Sequence, residues 1–473
     1  MQDLDKYTLL QLKAGYDMLL AQLKGFRLEN EQLKKENVVL KDKLGINSNN
    51  SSLPPSSDFK KPKKEKKPTG RKRGGQIGHK GSFRALVDIS QVDKVESVLP
   101  QSRCDCGGEV MINNSPSWRH QKFELPKIRP EITEYQMHSG CCNNCGASFQ
   151  ADLPRAVGYN MLGPRAMSLL AQLSSTYNVT RSKTQKFLNE WFGIKISLGC
   201  ISESEGRVSE YIEECYKALE AELKKQSQLN ADETSHKECG NRHYAWIFTN
   251  ENLTFLTIEP SRGKKVLKNL FPKGYNGDII SDRYAAYNVF DLENRQVCFA
   301  HLLRNFARFS NSADPYTAKI GKSLVCQTER MFSLYHKRKK GEISEEKFIA
   351  GIEEIKKRMD CLIYQGSIGL DLPQLNRFCK NIEKVRPALW NFAYSNGKIE
   401  PTNNLAERDL RQFVIWRKIS FGSQSDRGSR FMERMISIRS TCSKQAIDFS
   451  EFLIDATNSF LSGTPKTLPL NNR

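Results

Sequence analysis

Between residues 243 and 299 apolar residues gather in several short stretches that read as extended chain, and this limits the fold more than any other stretch. His243-Tyr244-Ala245-Trp246-Ile247-Phe248-Thr249 alternates and Leu253 to Ile258 is a short apolar run, so both read as strands following Asp232. A helical stretch from Lys264 to Leu270 leads to a β-rich segment, Asp278 to Ser281. A further strand, Gln296 to Phe299, precedes a helix carrying His301 and Arg304. This order predicts a mixed sheet in an α+β domain.

Three acidic residues stand where such a sheet could gather them. Asp232 lies in Leu229-Asn230-Ala231-Asp232-Glu233-Thr234, where an apolar residue leads into a turn. Asp282 ends the Gly277–Ser281 run, just before the helical pattern Arg283 to Tyr287. Glu407 sits at the helix start Pro401–Arg411, which Asn403 and Asn404 are placed to cap. Each has a plain structural reading: an ordinary turn residue for Asp232, an N-cap for Asp282, and a pair with Arg411 one turn on for Glu407. Together they suit two divalent cations. Mg²⁺ takes oxygen ligands and keeps several waters, and an ion pair can activate an attacking oxygen and stabilise a leaving one in phosphoryl transfer.

The words around these residues are more specific than their spacing. Asp232-Glu233-Thr234, Ser281-Asp282-Arg283-Tyr284-Ala285-Ala286-Tyr287, Cys298-Phe299-Ala300-His301-Leu302-Leu303-Arg304 and Asn403-Asn404-Leu405-Ala406-Glu407-Arg408-Asp409-Leu410-Arg411 follow in order. Trp416-Arg417-Lys418 and Phe421-Gly422-Ser423 come after them. In these the chain closely resembles the large transposase of the insertion-sequence sixty-six family, bacterial enzymes with a ribonuclease-H-like catalytic domain. The resemblance implies that Asp232, Asp282 and Glu407 are DDE carboxylates holding Mg²⁺ or Mn²⁺, two ions per site. The enzyme would cut the inverted-repeat ends of its element and join the 3′ ends to target DNA, alongside accessory proteins of the same element. Two alternatives stay open: a related nuclease that does not join strands, and a catalytically inactive DNA-binding regulator.

Charge agrees with a nucleic-acid partner. A net +20 and a pI near 9.3 call for a polyanion. No apolar run reaches the roughly 20 residues that cross a bilayer, and the N-terminus has no signal-peptide pattern. The expectation is a soluble protein of the bacterial cytoplasm, on the nucleoid when bound to DNA. Thirteen cysteines, an odd and mostly scattered set, do not make a disulfide framework.

Six segments are expected. Residues 1–45 carry a heptad seam, with Leu9, Tyr16, Leu23, Asn30, Asn37 and Leu44 at one position and Leu12, Leu19, Phe26, Leu33 and Leu40 at the other. That stripe predicts a coiled coil and a homo-oligomer, with a single helix packed on its own protein as the alternative. Gly15 and Gly25 weaken the helix by about 1 kcal/mol each. Residues 46–95 form a polar, then strongly basic linker in which Lys63, Lys64, Arg71, Lys72 and Arg73 would lie along phosphates. Residues 96–155 hold two cysteine knuckles, and Cys104, Cys106, Cys142 and Cys145 could ligate structural Zn²⁺ as a zinc-ribbon-like module. The first pair is cramped by its one-residue spacing, so Cys141 or His120 could complete the site, or the module could be metal-free.

Residues 156–225 read as helices, with a Gly193 turn between two of them. They suit either a helix-turn-helix, whose second helix enters the major groove, or a plain bundle. Residues 226–425 are the catalytic domain, with a helical insertion at about 312–395 hinged near Gly341. Residues 426–473 close the chain as a helical segment. His301 and Arg304, with Arg408, Arg411, Arg417 and Lys418, are the phosphate-facing candidates near the carboxylates.

Overall fold

The structure, a computed structural model, describes residues 2–44, 46, 74, 78–80, 84–369 and 373–464. Two compact units result: residues 63–131, and residues 1–62 together with 132–473. The division at 131 falls inside the expected 96–155 module. In the smaller unit Gln121 reaches back to both backbone groups of Val87, at 2.9 Å each, and Arg84 lies over Phe123, so residues 84–123 close on themselves. A turn tightened by Cys104 N–H to Gly108 O (2.9 Å) and Gly107 N–H to Cys104 O (2.8 Å) forms the first knuckle. The basic linker residues Lys63, Lys64, Arg71, Lys72 and Arg73 lie outside the described residues.

The larger unit begins with α1 (Gln2–Leu44). Its end is tied down where Asp42 accepts from Ser312 Oγ (2.8 Å) and Ala313 N–H (3.0 Å). Along the rest of it the described seam residues stand in solvent: Leu12, Tyr16, Leu19, Leu23, Phe26, Leu33 and Leu40 are all more than half exposed. A hairpin, β1 (Ser139–Cys141) and β2 (Ser148–Gln150), presents the second knuckle, Cys142 to Gly146.

Four helices follow: α2 (Pro164–Ser175), α3 (Arg181–Phe192), α4 (Leu198–Tyr211) and α5 (Glu213–Leu223). Their limits follow local chemistry. Thr180 and Ser197 accept N-cap hydrogen bonds, and Gly193 ends α3 at φ +68°, a conformation that costs glycine nothing. The α4 helix packs on α2, α13 (Asp426–Lys444) and α14 (Phe449–Leu461), burying Ile201, Glu205, Val208 and Tyr211. The more exposed helix of the region is α3, of which only Thr184 and Leu188 are buried.

The sheet comprises β3 (Gln228–Glu238), β4 (Asn241–Thr249), β5 (Thr254–Glu259), β6 (Asp278–Ser281) and β7 (Arg295–Val297), in the order β5-β4-β3-β6-β7. Both β3–β4 and β4–β5 pair antiparallel, while β6 and β7 run parallel to β3. Trp246, Ile247 and Phe248 are consecutive and wholly buried, so both sheet faces are covered. One apolar cluster joins the sheet to α2, α4, α5, α6 (Lys264–Leu270), α12 (Asn404–Ser420), α13 and α14. The other joins Ile280 and Val297 to α7 (Phe299–Ser310), α8 (Pro315–Lys339), α9 (Glu345–Ile368) and α10 (Pro373–Glu383), with α11 (Asn391–Tyr394) beyond.

The edge of β5 is closed by side chains rather than by another strand. Glu433, Ser437 and Thr441, one turn apart on α13, accept from the N–H groups of Ile258, Leu256 (2.9 Å) and Thr254 (3.0 Å). An edge that would template another chain is thereby satisfied. In the insertion Gly341 turns at φ +71°, where the sequence suggests a hinge, and Ser344 caps α9. Among the described residues no helix is long and apolar enough to cross a membrane.

Candidate active site

Parallel pairing sets the first two carboxylates side by side. Gln228, Leu229 and Asn230 of β3 face Asp278, Ile279 and Ile280 of β6 in constant register. Continued past the end of β6 at Ser281, that register sets Asp232 level with Asp282, and the Asp282 charge acts on the Asp232 carboxyl. Asp282 Oδ1 accepts Tyr284 N–H (2.8 Å), closing a turn before a short 3-10 helix at Ala285–Val289. The helical pattern expected there is thus a single tight turn, because the side chain competes for the backbone donor. The fully buried Arg295 donates to Asp282 O (2.9 Å) and Asn288 Oδ1 (2.7 Å) and so fixes the backbone behind the carboxylate.

Glu407 arrives from α12 through a clamp with partners far away in sequence. Asn403, wholly buried, donates to Ala231 O (2.7 Å) and accepts from Asn230 Nδ2 (2.9 Å), on the two residues that precede Asp232. Its backbone N–H goes to Cys298 Sγ (3.2 Å), and Phe299 N–H goes to Pro401 O (2.8 Å). Asn403 occupies the N-cap position of α12 without a side-chain cap bond. The expected cap is replaced by a clamp on β3, which sets the first turn of α12 against the strand that carries Asp232.

Glu407 does not pair with Arg411. Its Oε1 accepts from Arg304 Nη2 (3.1 Å) and lies 3.5 Å from His301 Nδ1, both on α7. Burial, then the Arg304 charge, lowers the His301 pKa. Burial, then the charges of Glu233, Asp282 and Glu407, pushes the Asp232 carboxyl well above the usual range, so the three carboxylates share one electrostatic neighbourhood. In each, the hydrogen bonding described falls on one oxygen: Asp232 Oδ1 (from Glu233 N–H, 2.9 Å), Asp282 Oδ1 and Glu407 Oε1. The second oxygen of each is left for other ligands. Among the described residues no three His, Cys, Asp or Glu groups stand close enough together to hold a metal ion as they are placed. Hard oxygen donors of this kind fit Mg²⁺ or Mn²⁺ in donor type.

Glu233 belongs to this site although the sequence reading passed over it. Its buried carboxylate accepts from Arg262 Nε (3.0 Å) and Nη2 (2.6 Å) and from Tyr287 Oη (2.6 Å). It thereby holds the segment after Asp282 onto the sheet, with Arg262 stacked 4.0 Å over Tyr284. Its place beside Asp232 in the Asp-Glu-Thr word was the available signal.

The basic candidates divide. His301 and Arg304 touch Glu407. Arg417 is held by Thr234 Oγ1 (2.8 Å) and Ser235 Oγ (3.3 Å), whereas Arg408, Arg411 and Lys418 are exposed along α12. Asp409 is a brace: it accepts from Lys444 Nζ (2.7 Å) and Thr249 Oγ1 (2.7 Å), and Arg408 comes no nearer than 4.0 Å.

The cysteine knuckles, each within its own unit, are arranged alike. Cys106 is lowered in pKa by the Gly108 N–H and the Cys104 thiol, and Cys142 by the N–H groups of Cys145 and Asn144 and the Cys145 thiol. Donors aimed at sulfur favour thiolate, the metal-binding form. Cys141 Sγ lies 3.7 Å from Ser148 Oγ instead, and His120 stands edge-on to Trp118.

Comparison with known proteins bears on the same stretch. The Transposase IS66 family matches residues 160–431, more than half of the chain, including Asp232, Glu233, Asp282 and Glu407. A family of unknown function (DUF6444) matches residues 10–85. An uncharacterized protein, y4hP, of Sinorhizobium fredii is 22% identical over 397 residues, 76% of this chain and 70% of that protein. With its carboxylate-bearing mixed sheet inside the matched region, the chain belongs to the IS66 transposase family.

Proposed function

We propose that the protein binds the terminal inverted repeats of its insertion sequence, cleaves them and joins the 3′ ends to target DNA, on a catalytic core of ribonuclease-H type. What supports this reading is that the charges of Asp282 and Glu407 act on the Asp232 carboxyl, with Asp232 on β3, Asp282 just past the end of its parallel neighbour β6, and Glu407 on a helix clamped to β3. These three would hold two Mg²⁺ or Mn²⁺ ions, which when bound activate the attacking oxygen and stabilise the leaving one. Arg304 and His301 orient Glu407. Arg408, Arg411 and Lys418, on the open face of the same helix, would hold DNA phosphates, with Arg417 beside them once freed from Thr234.

The basic arm from Lys63 to Arg73 adds contacts that do not read sequence, and the α3–α4 region is the candidate reader of the element's ends. Self-association through α1 would hold two ends together, since an exposed apolar heptad stripe is buried best by a second helix. Donors aimed at the sulfurs of Cys106 and of Cys142 favour the thiolate that a structural Zn²⁺ takes as ligand, which supports metal binding at each cysteine knuckle. Accessory proteins of the element and a cytoplasmic, nucleoid-bound setting complete the reading.

The test supplies intact and pre-cut element ends and a target duplex with Mg²⁺. Joined product is expected. Cleavage of intact ends without joining would leave a nuclease, and binding without either would leave a regulator.

A further inference from the structure

One face of α12 combines charge with exposed apolar surface. Arg408, Arg411, Ile415, Lys418 and Ile419 recur at three- and four-residue steps, all exposed, and the row starts beside Glu407. At its far end stands Phe421, 83% exposed, at φ +58° and ψ +18°. A bulky L-residue in the left-handed region is strained, and glycine or asparagine would serve a helix C-terminus better.

The loop leaves Phe421 no latitude. A Cβ on Gly422 would come within 2.3 Å of Lys237 O, so Gly422 lies flat on the end of β3. Ser423 N–H donates to Lys237 O (2.9 Å) and Cys239 N–H to Ser423 O (2.9 Å). The Ser423 hydroxyl is in turn bonded to His236 Nε2 (2.9 Å) and Ser429 Oγ (2.7 Å). A large ring thus stands in solvent on a strained backbone that the following residues pin to β3, at the end of a basic row leading from the carboxylates. Strain maintained by over-determined surroundings points to function.

Resting on the DNA-processing reading above, we infer that Phe421 is a stacking platform for an unpaired DNA base, with the α12 row guiding the phosphates toward Glu407. Charge selects the occupant: Arg408, Arg411 and Lys418 flank the apolar residues, a pattern that fits a phosphate backbone with an exposed base better than a protein surface. Aromatic stacking on bases is tolerant of sequence and stabilises unpaired strands.

The experiment measures binding of the full chain, with no Mg²⁺ or Mn²⁺ added so that cleavage does not start, to one DNA sequence prepared as a blunt duplex and as a duplex with a short unpaired fork. Wild type should prefer the fork. Phe421→Ala and Phe421→Gly should each lose about tenfold in fork affinity with duplex affinity nearly unchanged, and Phe421→Trp should keep the preference. Phe421→Gly should also raise the melting temperature, because it relieves the backbone, so stability and fork binding move in opposite directions. An intact fork preference in Phe421→Ala, equal losses on both DNAs, or a changed oligomeric state with unchanged DNA binding would each overturn the inference while leaving the transposase reading standing. Failure of wild type to bind either DNA would remove both.

Discussion

Asp232 lies where folding makes a carboxylate hardest to ionise: burial comes first, then the neighbouring charges of Glu233, Asp282 and Glu407. A carboxyl whose pKa is raised on folding holds its proton more tightly in the folded chain. Its contribution to stability is therefore complete below the unfolded value of about 4 and is lost as pH rises through the folded value. Metal-free wild type should accordingly melt at lower temperature as pH is raised from 5 to 8, more steeply than Asp232→Asn. Mg²⁺ should restore the wild type and leave the variant unmoved, because a ligand that binds only the folded state raises its stability. A pH dependence equal in both proteins, measured by thermal unfolding with and without metal, would count against the charge cluster.

At the scale of elements, α13 and the edge strand β5 are joined by side chain to backbone bonds that no local pattern announces. Removing the hydroxyl at Ser437 or Thr441 leaves a buried N–H of Leu256 or Thr254 unpaired. Ser437→Ala and Thr441→Val should each cost about 1–3 kcal/mol in urea unfolding; a loss near zero would mean that the edge finds other partners. The sequence was readable where chemistry is local. Gly193 and Gly341 mark helix limits by their φ values, and the stretch from His243 to Thr249 marks β4. It was unreadable where partners are distant. Glu407 could be paired with Arg411 on spacing, but tertiary packing gives it Arg304. Asn403 looked like a cap and is a clamp on Asn230 and Ala231, and Glu233 acquires its role only once Tyr287 and Arg262 fold over it.

For the whole molecule, α1 and the net charge of +20 set the behaviour in solution. A helix whose seam residues stand exposed is stabilised by a partner helix. Leu19→Glu combined with Phe26→Glu should convert the full chain to a monomer in sedimentation experiments, with the catalytic unit still folded. A wild type that is already monomeric at micromolar concentration would remove self-association through α1.

The central claim is that three carboxylates distant in sequence act as one divalent-metal site on DNA. Its most direct measurement is the Mg²⁺-dependent rate of cleavage of DNA carrying the element's own ends, compared among wild type, Asp232→Asn, Asp282→Asn and Glu407→Gln at matched DNA occupancy. Each substitution should lower the rate by more than about a hundredfold without weakening end binding. Near wild-type cleavage by Glu407→Gln would contradict the account.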